Sequence, residues 1–176
     1  MSRSTPEPAG ASTDARSAAT VPVPAAAGGG PVSHAIFRLA RLHRMFAGQL
    51  LRPLGLHPGQ ELVMMHLWEL GPQRQTDLVR LLDSDAATMT RTVRRLEQAG
   101  FVRRRPCPTD KRASLIEPTA ASQVLRRQVE QVWAQLEALV TADLSPAEGA
   151  AALATLERLE DNLAQAEAPA DTDTDG

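Results

Sequence analysis

Apolar positions recur every three to four residues in six stretches of this chain, and between two of them the period shortens to two. The most informative stretch is DAATMTRTVRRLEQAG, Asp85 to Gly100. Met89, Val93 and Leu96 fall on one face of a helix, Asp85 is a good N-cap, and Gly100 suits the position just past the end. The remaining positions are small or basic: Ala86, Ala87, Thr88, Thr90, Arg91, Arg94 and Arg95. A helix that buries one stripe and presents hydroxyls and arginines on the other suits a major groove. Small residues in its first turn let the backbone approach base edges, and threonines and arginines can bond bases or phosphates.

The neighbouring stretches frame this helix. Ser33 can cap a helix running to about Arg52, with Ile36, Leu39, Ala40, His43, Phe46, Ala47 and Leu50 inward, and Pro53 and Gly55 end it. Pro58 opens a second helix to Leu70, with Leu62, Met65, Leu67 and Trp68 as expected core. A short third helix, about Gln75 to Leu82, turns Leu78, Leu81 and Leu82 inward and leads through Asp83 and Ser84 into the capped helix. Two helices joined by so tight a turn, the second with a polar face, make a helix-turn-helix candidate.

The period of two follows. Phe101–Arg105 and Ala113–Glu117 read as strands, with Pro106, Pro108, Thr109 and Asp110 as the turn region and Lys111 and Arg112 at a basic tip. A basic hairpin directly after a helix-turn-helix is a wing, suited to the sugar-phosphate backbone or the minor groove. Thr119 then caps a long helix to about Val140. Ser145-Pro146-Ala147-Glu148 forms a capping box opening a last helix, striped by Leu153, Leu156, Leu159 and Leu163. The apolar stripes of these two helices exceed what a small winged helix can cover, and a second copy of the chain is the simplest cover.

Charge sharpens the picture. The formal net charge is −2, yet residues 33–112 carry 14 basic against 7 acidic side chains, and residues 113–176 carry 3 against 12. A polyanion responds to the local field of the basic block. Residues 1–32 are rich in Pro, Gly, Ala, Ser and Thr and read as a disordered tail, as does the acidic stretch 168–176. Cys107 is the only cysteine, so an internal disulfide is excluded. No apolar run reaches membrane-spanning length and the N-terminus lacks a secretory pattern, which leads to the expectation of a cytoplasmic protein.

Taken together, the text HPGQELVMMHLWELGP, QTDLVRLLDSDAATMTRTVRRLEQAGFVRRRP and PTDKRASLIEPT resembles the MarR-type (multiple antibiotic resistance regulator) winged-helix family, including its Asp-x-Arg wing as Asp110-Lys111-Arg112. The resemblance implies a mostly α fold, a winged helix-turn-helix with a two-stranded β-wing and flanking dimerisation helices. The domain would span 33–167, with dimerisation helices at about 33–52 and 119–166 and a DNA-binding lobe at about 56–118. It implies a homodimeric regulator, by family habit a repressor, on a pseudo-palindromic duplex operator. By position, Ala86, Ala87, Thr88, Thr90 and Arg91 would lie nearest the bases and Arg94, Arg95 and Arg103 would meet phosphates. Arg112 would enter the minor groove, oriented by Asp110. The chain departs from the family pattern at Pro118, where leucine is usual, and at Ser122, where glycine is usual.

Many family members release DNA when a small aromatic acid or phenol binds. For such a ligand, His43, His57, Met64 and Trp68 are the candidate lining. Cofactors and metals are not expected: the four histidines are spaced singly, without a paired set of ligands. Cys107 reads as an incidental exposed thiol whose pKa Arg104 and Arg105 could lower. The alternatives are a winged-helix protein-interaction module, against which the basic strand argues, and an enzyme. The enzyme reading lacks a phosphate loop, a nucleophile elbow or paired metal ligands.

Overall fold

A computed structural model describes residues 23–167, apart from the side chains of Lys111, Arg112 and Glu167. Of the tails expected at 1–32 and 168–176, residues 1–22 and 168–176 lie outside the described residues. The order is α1 (Pro31–Leu51), α2 (Gln60–Leu70), β1 (Gln73–Arg74), α3 (Gln75–Leu81), α4 (Ala86–Gln98), β2 (Val102–Cys107), β3 (Asp110–Pro118), α5 (Ser122–Val140) and α6 (Pro146–Glu167). The chain divides into two compact units within α1, the first ending at Leu42 and the second beginning at His43.

In the first unit, Ala25–Ala27 form a short 3₁₀ turn in a stretch expected to hold no regular element, and α1 begins two residues before Ser33. Its first turn is held by the backbone: the His34 amide donates to the Gly30 carbonyl at 3.0 Å, so Ser33 lies inside the helix and caps nothing. Ile36, Phe37 and Leu39 are exposed.

In the second unit, one core gathers Leu51, Val63, Met64 and Leu67 with Leu78, the α4 stripe Met89, Val93 and Leu96, the strand residues Val102 and Ile116, and Leu125, Val129 and Leu136 of α5. On α2 the buried apolar residues are Val63, Met64 and Leu67; Leu62 and Met65, expected inside, are exposed. This helix is apolar nearly all round, so its own period does not choose an inner face. Leu81 of α3 is likewise exposed. The helix starts at Gln60, with Gly59 at φ 96° as its N-cap, rather than at Pro58.

The α4 boundaries follow from local chemistry. Asp85 Oδ1 accepts the Thr88 amide at 2.7 Å. At the other end the Phe101 amide reaches the Leu96 carbonyl and the Gly100 amide reaches Glu97, a Schellman closure that needs the left-handed φ of 78° at Gly100. The turn before α4 closes in the same way, with the Ser84 amide on Val79 and the Asp83 amide on Arg80. There the left-handed residue is Asp83, at φ 42°.

The wing is larger than expected. The two hairpin strands are joined by β1, giving an antiparallel sheet in the order β1-β3-β2. Pro106 and Asp110, expected in the turn, lie in strands, and Cys107 pairs with Asp110 so that only Pro108 and Thr109 remain between them. Proline is tolerated because β2 is an edge strand, where a missing N–H costs no ladder bond. Thr119 does not cap α5. Its hydroxyl donates to the Gly100 carbonyl at 2.7 Å, fixing the α4–β2 corner, and the helix begins at Ser122. The capping box at Ser145 is complete: the Glu148 amide donates to Ser145 Oγ at 3.3 Å and the Ser145 amide to Glu148 Oε2 at 2.8 Å. Among the described residues of α6 none is buried, and Leu163 is 70% exposed.

Candidate nucleic-acid interface

Burial of Met89, Val93 and Leu96 turns the opposite face of α4 outward. Ala86, Ala87, Thr88, Thr90, Arg91, Arg94 and Arg95 are all exposed. The first turn carries no side chain larger than threonine. Arg91 Nη2 donates to Thr88 Oγ1 at 3.0 Å. Thr90 Oγ1 donates to the Ala86 carbonyl at 2.7 Å and accepts from Gln75 Nε2 at 2.8 Å. The Asp85 carboxyl is held below the usual aspartate range, first by the Thr88 hydroxyl and then by the Thr88 amide. Arg94 and Arg95 form no ion pair with a carboxylate among the described residues.

The wing arginines differ. Strand alternation puts Arg103 and Arg105 on one face and Arg104 on the other. Arg103 stands opposite Glu117, and its Nε meets Glu117 Oε2 at 3.0 Å; Arg105 reaches the same oxygen at 3.8 Å. These guanidinium groups hold the Glu117 carboxyl below its ordinary range, with the Arg103 hydrogen bond as the largest cause. Arg104 Nε lies 3.5 Å from Glu97 of α4, and its Nη2 donates to Gln75 Oε1 at 3.2 Å. Arg103 is thus exposed but already charge-paired. Asp110 is half-buried at the start of β3; the Arg112 side chain it was expected to orient lies outside the described residues.

Sequence reasoning missed Gln75. It joins the wing strand, the start of α3 and the middle of α4 through two hydrogen bonds, and only the fold brings those three segments together.

Cys107 is 7% exposed, which corrects the expectation of an exposed thiol. Its neighbours are Thr109 Oγ1 at 3.3 Å and Arg74 Nη2 at 3.7 Å, not Arg104 and Arg105, which are engaged with carboxylates. The thiol is pushed down to about 7, chiefly by the Thr109 hydroxyl and backbone, with Arg74 adding a smaller effect.

The four candidate ligand-pocket residues are not brought together. Met64 is fully buried in the core. His57 lines a small polar cavity with Gln60 and Arg95. His43 sits with its ring 6.4 Å from that of Trp133. Trp68 alone of the four lines the larger cavity, about 510 Å³, which lies between α2 and α5 and includes Leu62, Met65, Val129 and Trp133.

The sequence model of the MarR family matches residues 56–114, from just before α2 to partway along β3. An uncharacterized HTH-type transcriptional regulator of Bacillus subtilis (strain 168), YwoH, is 34% identical over 110 residues, covering 62% of this chain and 80% of the relative. The chain belongs to the MarR family. It is therefore a transcriptional regulator and not an enzyme. Among solved structures of MarR proteins, a mutant MarR from E. coli complexed with operator DNA is 25% identical, with a TM-score of 0.70, covering 80% of this chain and 99% of that one. A probable transcriptional regulator from Pseudomonas aeruginosa is 28% identical with a TM-score of 0.63, covering 70% and 96%. Among the described residues no helix is long and apolar enough to cross a membrane.

Proposed function

We propose that this MarR-family chain is a cytoplasmic homodimeric repressor that binds a pseudo-palindromic operator and releases it when a small aromatic ligand binds. The observation that carries the reading is the outer face of α4, where small side chains in the first turn are followed by Arg94 and Arg95, which pair with no carboxylate among the described residues. Ala86, Ala87, Thr88, Thr90 and Arg91 are proposed to face the bases. Arg94, Arg95 and Arg103 are proposed to meet phosphates, with Arg112, oriented by Asp110, at the minor groove. The similar E. coli protein on operator DNA supports this use of the fold.

Dimerisation is supported by the uncovered apolar residues of α1 and of α6, among them Phe37, Leu153, Leu156 and Leu163. Side chains of this size, exposed along whole helices, mark an association surface. A two-fold dimer presents two copies of α4 to successive major grooves, which is why the operator is expected to be a pseudo-palindrome. Ligand release is supported by the cavity between α2 and α5, whose volume lies within the range of small-molecule sites.

The test is fluorescence anisotropy with duplex DNA from upstream of the protein's own gene against scrambled DNA over a salt series, with sedimentation for the dimer. Sequence-selective binding that weakens steeply with salt is expected. Binding blind to sequence, to this duplex and to those recovered by random-sequence selection alike, refutes the reading.

A further inference from the structure

The charges around the α2–α5 cavity limit what it can hold. Its walls are two indoles, Trp68 and Trp133, both half-buried. Trp68 is pinned: its Nε1 donates to Ser122 Oγ at 3.1 Å, and Ser122, fully buried, donates in turn to the Thr119 carbonyl at 2.7 Å. One wall is therefore a fixed aromatic surface. The rim carries two carboxylates, Glu69 and Glu130, against one guanidinium, Arg126. That guanidinium is engaged, with Arg126 Nε on Glu130 Oε1 at 3.2 Å. Glu69 forms no ion pair among the described residues. His66 completes the lining.

An aromatic carboxylate entering here would share Arg126 with Glu130 and would stand beside two like charges. Juxtaposed like charges at a binding site are strongly unfavourable. A planar cation meets the opposite situation, an unpaired carboxylate at Glu69 and two indole faces whose quadrupoles attract positive charge. We propose that this cavity takes a planar aromatic cation rather than an aromatic acid or phenolate. The proposal rests on the reading that a small ligand occupies this site.

The test uses the purified full chain without DNA, titrated by calorimetry with three ring systems of similar size: N-methylquinolinium, neutral quinoline and 1-naphthoate. Trp68 and Trp133 are the chain's two tryptophans, so intrinsic fluorescence places any binding at this cavity. N-methylquinolinium is expected to bind about tenfold more tightly than 1-naphthoate. Glu69→Gln, a change on an exposed surface, is expected to weaken the cation roughly two- to fivefold and to leave quinoline unchanged. Naphthoate binding as tightly as the cation, no loss of cation affinity in Glu69→Gln, or no binding by any of the three overturns the proposal. Operator anisotropy is read separately. If the cation binds but DNA is retained, ligand release fails while the ligand class stands. If no DNA binds at all, the regulator reading fails without touching the calorimetry.

Discussion

The side-chain amide of Gln75, the first residue of α3, donates to the Thr90 hydroxyl of α4 at 2.8 Å. Thr90 gives its own proton to the Ala86 carbonyl, so this bond fixes which way its oxygen and methyl face. The other end of the amide accepts from Arg104, which ties the wing to the same residue. Gln75→Ala is expected to raise the operator Kd roughly three- to tenfold, the range of one lost hydrogen bond, without changing the salt slope because no charge is removed. Anisotropy over a salt series checks both quantities. A change in slope equal to that of an arginine mutant contradicts the positioning role.

Glu117 pairs with Arg103 and Arg105, and on the proposed DNA surface it would compete with phosphate for them. Glu117→Gln is expected to tighten DNA binding and steepen its salt dependence. Arg94→Ala and Arg95→Ala should each flatten the slope by about one unit. Arg103→Ala should do less than either. If Arg103→Ala proves the largest of the three, the cross-strand pairing does not hold that side chain in solution.

The left-handed turn between α3 and α4 rests on Asp83 at φ 42°. A β-branched residue there meets the full steric cost of that region, which aspartate tolerates better. Asp83→Val is therefore expected to destabilise the fold by about 1–2 kcal/mol in urea unfolding. Asp83→Gly is expected to be neutral or stabilising, and equal stability for the two variants would count against this turn geometry.

Burial pushes the Glu61 carboxyl above its ordinary range, and the backbone bonds it receives, including the Gly59 amide at 2.8 Å, only partly offset this. A carboxyl whose folded pKa is raised favours the fold below its unfolded pKa and loses that contribution as pH rises through the folded value. Glu61→Gln should remove this fall. Urea midpoints taken from the carboxylate range up to neutrality are expected to decline less in the variant than in the parent. Parallel profiles would mean that Glu61 titrates alike in both states.

For Cys107, the alkylation rate is expected to rise through a midpoint near pH 7 while remaining slow in absolute terms, because the sulfur is buried. Thr109→Val removes the hydroxyl and should move the midpoint upward. The depressed pKa also means that the thiolate's contribution to stability is present at alkaline pH and is lost as pH falls through about 7. An unmoved midpoint in Thr109→Val would shift the cause to Arg74.

The recognition-type helix was legible in the sequence because everything that makes it is local. The Asp85 cap, the Met89–Val93–Leu96 stripe and the Gly100 stop lie within sixteen residues of one another, and short-range hydrogen bonding and helical period decide them. The Ser145 capping box was legible for the same reason. Other features were settled only by partners far along the chain. The two residues of β1 carry no period of their own and become a strand because β3 lies beside them. The inner face of α2 was chosen by what packs against it, since apolar side chains surround that helix. Which arginines stay free for an anion depended on tertiary pairing: cross-strand register set Glu117 against Arg103, while Arg94 and Arg95 on α4 meet no carboxylate among the described residues. Period and capping act between neighbours in the chain; register, burial and charge pairing act between neighbours in space, and those exist only once the chain has folded.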